Sequence, residues 1–83
     1  MRKIWKFTIS EQTRILVPEG SEILDFQLQK GKPQIWLMVD EEKPTVTRNF
    51  EIFGTDRDVP DEAQYIGTFQ LLLGELVFHL FEV

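Results

Sequence analysis

Apolar and polar residues alternate with a period of two through most of this chain, which predicts strands with one buried and one outward face. The first, Lys3-Ile4-Trp5-Lys6-Phe7-Thr8-Ile9, puts Lys3, Trp5, Phe7 and Ile9 on one side and Ile4, Lys6 and Thr8 on the other. Arg14-Ile15-Leu16-Val17 is a shorter second strand. In Ile23-Leu24-Asp25-Phe26-Gln27-Leu28-Gln29 the pattern sends Leu24, Phe26 and Leu28 inward and Asp25, Gln27 and Gln29 outward.

Lys30-Gly31-Lys32-Pro33 reads as a hairpin turn: Gly31 supplies a positive φ, and Pro33 starts the return strand where its missing N–H matters least. That return, Gln34 to Val39, carries Ile35, Leu37 and Val39 on one side and Trp36 and Met38 on the other. Both of its faces are apolar, so the strand is either covered twice or offers Trp36 and Met38 to a partner. After the charged loop Asp40 to Pro44, Thr45 to Phe53 alternates again, with Val46, Arg48, Phe50 and Ile52 on one face and Thr45, Thr47, Asn49 and Glu51 outward. Arg48 is expected at the rim of that face rather than in an interior ion pair, because burying a guanidinium requires a compensating acid.

Gly54 to Glu62 is the longest irregular piece and holds the one plausible helical turn, with Asp58 as cap and Pro60 in the first turn. Gln64 to Leu73 and Leu76 to Val83 form a closing hairpin about Gly74-Glu75; Leu76, Phe78 and Leu80 share one face, Val77, His79 and Phe81 the other. The expected fold is all-β: a small antiparallel sandwich or partly open barrel of six to seven short strands over residues 1–83 as one domain, with at most a short helical turn near residues 58–63.

The size and composition sharpen this picture. A chain of 83 residues hides only about 60% of the surface its unfolded form exposes. There are no cysteines to reinforce it, which removes disulfides, thiol chemistry and Cys-containing zinc sites together. Seven Phe and two Trp must build the core, and self-association into a homodimer is one way to cover what so short a chain leaves open. No apolar run approaches a membrane span or the core of a signal peptide, so the default expectation is a soluble intracellular protein without membrane contact. The net charge of −5 is uneven: Arg2, Lys3 and Lys6 sit in the first ten residues without an acid, and the remainder carries −8. An acidic body repels phosphate backbones, so direct nucleic-acid binding is not expected, stacking and charge around Trp5 included.

Candidate chemistry is sparse. His79 is the only histidine, and it lies between Phe78 and Leu80 without Cys, Ser or Thr close in sequence to make an activated nucleophile. It reads as an ordinary half-buried histidine, and an enzyme would need it at the floor of a concave pocket facing a carboxylate or hydroxyl from a distant strand. One imidazole and no thiol leave only carboxylates for a zinc site. Asp56, Asp58, Asp61 and Glu62 crowd one loop, but their spacing does not match an EF-hand and Pro60 stiffens it, so a solvated acidic turn is expected. No glycine-rich phosphate loop is present. No catalytic residue, metal or cofactor is assigned, and a binding function through a sheet face or free edge follows. The expected partner-binding residues are Trp5, Trp36 and Met38 for affinity, Lys3 and Lys6 beside Trp5, and Asp56, Asp58, Asp61 and Glu62 for encounter.

The two ends of the chain, Lys3-Ile4-Trp5-Lys6-Phe7 with Tyr65-Ile66-Gly67-Thr68-Phe69 and Leu76-Val77-Phe78-His79-Leu80-Phe81-Glu82, resemble a family of small uncharacterised proteins encoded by tailed bacteriophages and prophages. The middle is similar in plan, with Pro18-Glu19-Gly20 before a strand, Gly31-Lys32-Pro33 at a turn, Trp36 in the return strand and Phe53-Gly54-Thr55 before the irregular loop. The resemblance brings no activity or catalytic residue. It implies a phage product acting in the host cytoplasm, either a non-enzymatic protein that binds and inhibits a host or defence factor, or an accessory structural component of the virion.

Overall fold

The alternating segments all become strands. The computed structural model describes residues 1–83 as β1 (Arg2–Thr8), β2 (Gln12–Pro18), β3 (Glu22–Gln29), β4 (Lys32–Asp40), β5 (Thr45–Gly54), β6 (Gln64–Leu71) and β7 (Leu76–Glu82), without a helix. They form two antiparallel sheets, one in the order β1-β4-β3 and the other β2-β5-β7-β6, packed face to face as an open sandwich rather than a closed barrel. The turn expected near residues 58–63 is one Ala63 N–H to Pro60 carbonyl turn. No helix is long and apolar enough to cross a membrane.

The core follows the inward faces. Ile35, Leu37 and Val39 of β4 are fully buried, and they meet Val17, Phe50 and Leu80 from the opposite sheet. Trp5 and Phe7 of β1 pair with Leu37 and Ile35, so both rings face the core, where they meet edge to face with centroids 6.4 Å apart. Between the sheets Phe26 of β3 lies on Gly67 of β6: a Cβ there would stand 2.8 Å from Phe26 Cδ2, so only glycine permits this approach. Pro18 ends β2, an outermost strand, where its missing donor costs no ladder bond.

Three local details depart from the alternation. In β3 a bulge falls between Ile23 and Asp25; Ile23 pairs with Leu37 and packs on the core, whereas Leu24, expected inside, is 43% exposed. The last hairpin turns earlier than Gly74-Glu75: β6 ends at Leu71, and Leu72, Leu73 and Gly74 all have positive φ. Arg48, expected at a rim without an interior partner, forms a half-buried fork with Glu82. Its Nε and Nη2 each donate over 2.7 Å to the two carboxylate oxygens, and Nη1 donates to the Ser21 carbonyl. The compensating acid lies 34 residues away, on β7, where no local pattern announces it.

The order β5-β7-β6 has a further consequence. Since β7 lies between β5 and β6, the connection 55–63 must cross it, and it runs from the Phe78 end of β7, where β5 stops, to the Glu82 end, where β6 starts. The inner face is filled by core, so this segment passes over the outer face as a strap. A hydrogen bond between Thr55 and the outward His79 marks its course.

Candidate functional site

The strap makes the two outer faces of the sandwich unlike. On the four-stranded sheet, Phe53 and His79 are cross-strand partners pointing outward, as are Tyr65 and Phe81. Phe53 is nonetheless only 9% exposed: Phe81 meets it edge to face at 5.6 Å beside the strap, whereas Tyr65, which meets Phe81 at 5.5 Å, stays 60% exposed. His79 is tied on both ring nitrogens, Nε2 to Thr55 Oγ1 and Nδ1 to Thr68 Oγ1, each at 2.9 Å, and Tyr65 Oη continues the chain to Thr68 at 2.6 Å. The hydroxyls absent from the sequence neighbourhood of His79 thus arrive from β6 and the strap. The ring, however, is not at the floor of a pocket, and with both nitrogens occupied it pins the strap to the sheet. Four hydrogen-bonding groups in series hold a segment that contributes no regular ladder of its own.

The three-stranded sheet has no such cover. Every other connection is a short turn, and none returns over this side. Its outer face carries Ile4, Trp36 and Met38 as one apolar strip, Ile4 paired with Met38 and 58% exposed, Trp36 and Met38 half-buried. Lys6 flanks Trp36 on the β1 side and Asp25 on the β3 side; Glu22 flanks Met38. The strip therefore runs between a basic border and an acidic one. Asp25 is held in place by the Phe26 N–H at 2.8 Å and the Gln27 side-chain amide at 2.6 Å. Lys6 Nζ reaches across β4 to Gln29 Oε1 at 2.8 Å, and beneath this crossing Gln34 is buried, accepting from Thr8 Oγ1 at 2.9 Å. This face thus has a large ring at its centre and fixed polar groups at its borders.

The residues singled out from the sequence are divided by this geometry. Trp36, Met38 and Lys6 come together on the bare face. Trp5 is on the opposite side of its sheet, turned to the core, and Lys3 shares that side, where it pairs with Glu41 at 3.0 Å in an exposed salt bridge of little energetic weight. Asp56, Asp58, Asp61 and Glu62 are all exposed on the strap, across the sandwich from Trp36. No group of three or more acidic or imidazole side chains is arranged to hold a metal ion. Ile4, which sequence reasoning passed over, completes the strip; its outward position was written in the alternation of β1.

One concave feature lies elsewhere. At the end of the sandwich near the β6–β7 turn the sheets part around an open groove of about 1170 Å3, floored by Ile9, Ile52, Phe69 and Phe78. Arg57 and Glu75 stand at its margin. Ile9 and Pro33 line one side of it and Phe69 and Phe78 the other.

No curated protein and no solved structure matches the chain. The model of one family does match, over residues 1–83, and by that match the chain belongs to the family described as a domain of unknown function, DUF7352.

Proposed function

We propose that this is a non-enzymatic accessory protein of a tailed phage or prophage that acts in the host cytoplasm, where it captures a host protein, such as a nucleic-acid-handling or defence factor, on the outer face of its three-stranded sheet. The observation that carries this reading is the bare Ile4–Trp36–Met38 strip, set against the strapped face of the other sheet. Tryptophan at the centre of a partly dry patch gives much buried area at little entropic cost, and the Lys6 and Asp25 borders fix register. The net charge of −5 supports encounter with a basic partner surface.

The test is recovery of partners by tagged protein during infection, repeated with Trp36→Asp. The expected result is one reproducible host protein, bound directly by the purified wild type and bound at least about thirtyfold more weakly by the variant. Wild-type protein that recovers no host partner and instead co-sediments with phage particles overturns the inhibitor reading in favour of a virion component.

A further inference from the structure

We propose that the open end of the sandwich is the interface of a two-fold homodimer, in which the Leu72–Leu73 tip of each copy fills the end groove of the other.

The turn itself is the first observation. Leu72 and Leu73 have φ of 52° and 55°, Gly74 has 90°, and the Gly74 N–H bonds the Leu71 carbonyl at 3.1 Å. Two consecutive positive-φ residues closed by that bond are the arrangement that favours Asn-Gly in hairpins. The β3–β4 hairpin meets the same demand with Lys30-Gly31, both at positive φ. Here two leucines occupy the positions, against their backbone preference, and neither is used by the core: Leu72 is 65% exposed and Leu73 fully so. Their place is explained neither by the turn nor by packing within the chain, and strain of this kind gathers at contact sites.

The second observation is what lies beside the tip. The end groove is floored by Ile9, Ile52, Phe69 and Phe78 and walled by Leu71 and Leu76, the residues that flank the turn. An apolar knob and an apolar groove thus adjoin one another on one molecule. An axis passing between them places each knob in the partner's groove and closes the assembly at two copies, whereas distant complementary features would propagate into fibres. Charge agrees: the only salt bridges are Lys3–Glu41 and Arg48–Glu82, so Arg57 at the groove margin and Glu75 at the tip, both exposed, are unpaired cation and anion for the partner's Glu75 and Arg57.

The third is area. A monomer of 9.8 kDa is expected to expose about 5,200 Å2. This chain exposes 5947 Å2 and extends over a flat 42 × 30 × 15 Å. The excess, about 750 Å2, is close to the roughly 800 Å2 that each partner contributes to a standard stable interface.

Sedimentation equilibrium of the full chain tests the proposal. Wild type is expected at the mass of two chains, and Leu73→Asp is expected to weaken the dimer about a hundredfold or more, since the axis counts each substitution twice. Leu73→Asn separates turn from interface: it suits the positive φ, so it should unfold at no lower temperature than Leu73→Asp while losing the dimer likewise. Trp36→Asp should leave the dimer intact, which keeps this result independent of the host-partner reading. A single-chain mass for wild type at all soluble concentrations overturns the proposal, as does a dimer that persists unchanged in Leu73→Asp. Monomeric wild type that sediments with phosphatidylcholine vesicles overturns it in favour of a lipid surface.

Discussion

The two sheets present outward faces of opposite fate. Both carry large rings, Trp36 on one and Phe53, Phe81 and Tyr65 on the other, but only the second is crossed by a covering segment. The difference arises from strand order. In β1-β4-β3 the β3–β4 hairpin needs only the two-residue Lys30-Gly31 turn, and nothing has to pass over a neighbour; in β2-β5-β7-β6 the chain must step across β7 to reach β6. Beneath the crossing segment Phe53 is 9% exposed, while Tyr65 on the same face stays 60% exposed, so a ring's exposure depends on its place relative to the strap as well as on its own alternation.

The sharpest way to break this contrast is to truncate one ring on each face. Phe53→Ala removes a ring that is only 9% exposed beneath the strap and should cost about 3–4 kcal/mol, from the lost transfer energy and the cavity left behind. Trp36→Ala removes a partly buried ring on the bare face and should cost about 2 kcal/mol. Urea titration with unchanged slope reads both. Equal losses would mean that the bare face is as structural as the strapped one.

A smaller effect is expected from the inner side of the strapped sheet, where Arg48 and Glu82 join β5 to β7. Arg48→Met leaves the Glu82 carboxylate half-buried without its fork and should destabilise by about 2 kcal/mol, less than the value for a fully buried pair because both groups keep some water. The hydrogen bond to Glu82 raises the Arg48 pKa, burial opposes the rise and Coulomb attraction adds to it. A raised folded-state value means that this contribution is complete below the ordinary guanidinium range and fades only as pH climbs beyond it, so the loss in Arg48→Met should be the same at pH 7 and pH 9. Arg48→Met with Glu82→Leu should recover part of it, which distinguishes an unpaired charge from lost packing.

How far such contrasts can be read from a sequence differs by residue. The alternation of β4, β5 and β7 grouped Ile35 with Leu37, Phe50 with Val46 and Leu80 with Phe78, and it is the face holding Ile35, Leu37, Phe50 and Leu80 that the fold buries; for β4 and β7, apolar on both sides, the choice of inward face came only with the packing of the sheets. It also put Trp5 with Phe7 and Trp36 opposite Ile35, but without the inward faces this joined Trp5 to Trp36 in one partner-binding set, which the fold divides by turning Trp5 to the core. The bulge was not legible: Leu24-Asp25-Phe26-Gln27-Leu28 alternates perfectly, and only pairing with β4 reveals that Ile23, not Leu24, is inward. The strap was not legible either, since no local signal says that β7 will insert between β5 and β6. The ties of His79 to Thr55 and Thr68 span 24 and 11 residues and inherit the same blindness.

The finest test concerns the strap alone. Thr55→Val keeps the shape of the side chain and removes the hydroxyl that meets His79 Nε2, leaving the imidazole to a water molecule in its place. Since Thr55 is exposed, the lost hydrogen bond should lower global stability by no more than about 1 kcal/mol. Its local effect should be larger in kind: the strap contributes no ladder bonds, so loosening its first tie should speed amide exchange at residues such as Arg57 and Ala63, whose N–H groups bond only Gly54 and Pro60, while exchange at Trp36 and Leu37 on the other sheet stays as in wild type. Faster exchange on both sheets together would mean that the strap and the bare face belong to one cooperative unit, and that the two faces differ in exposure but not in how they open.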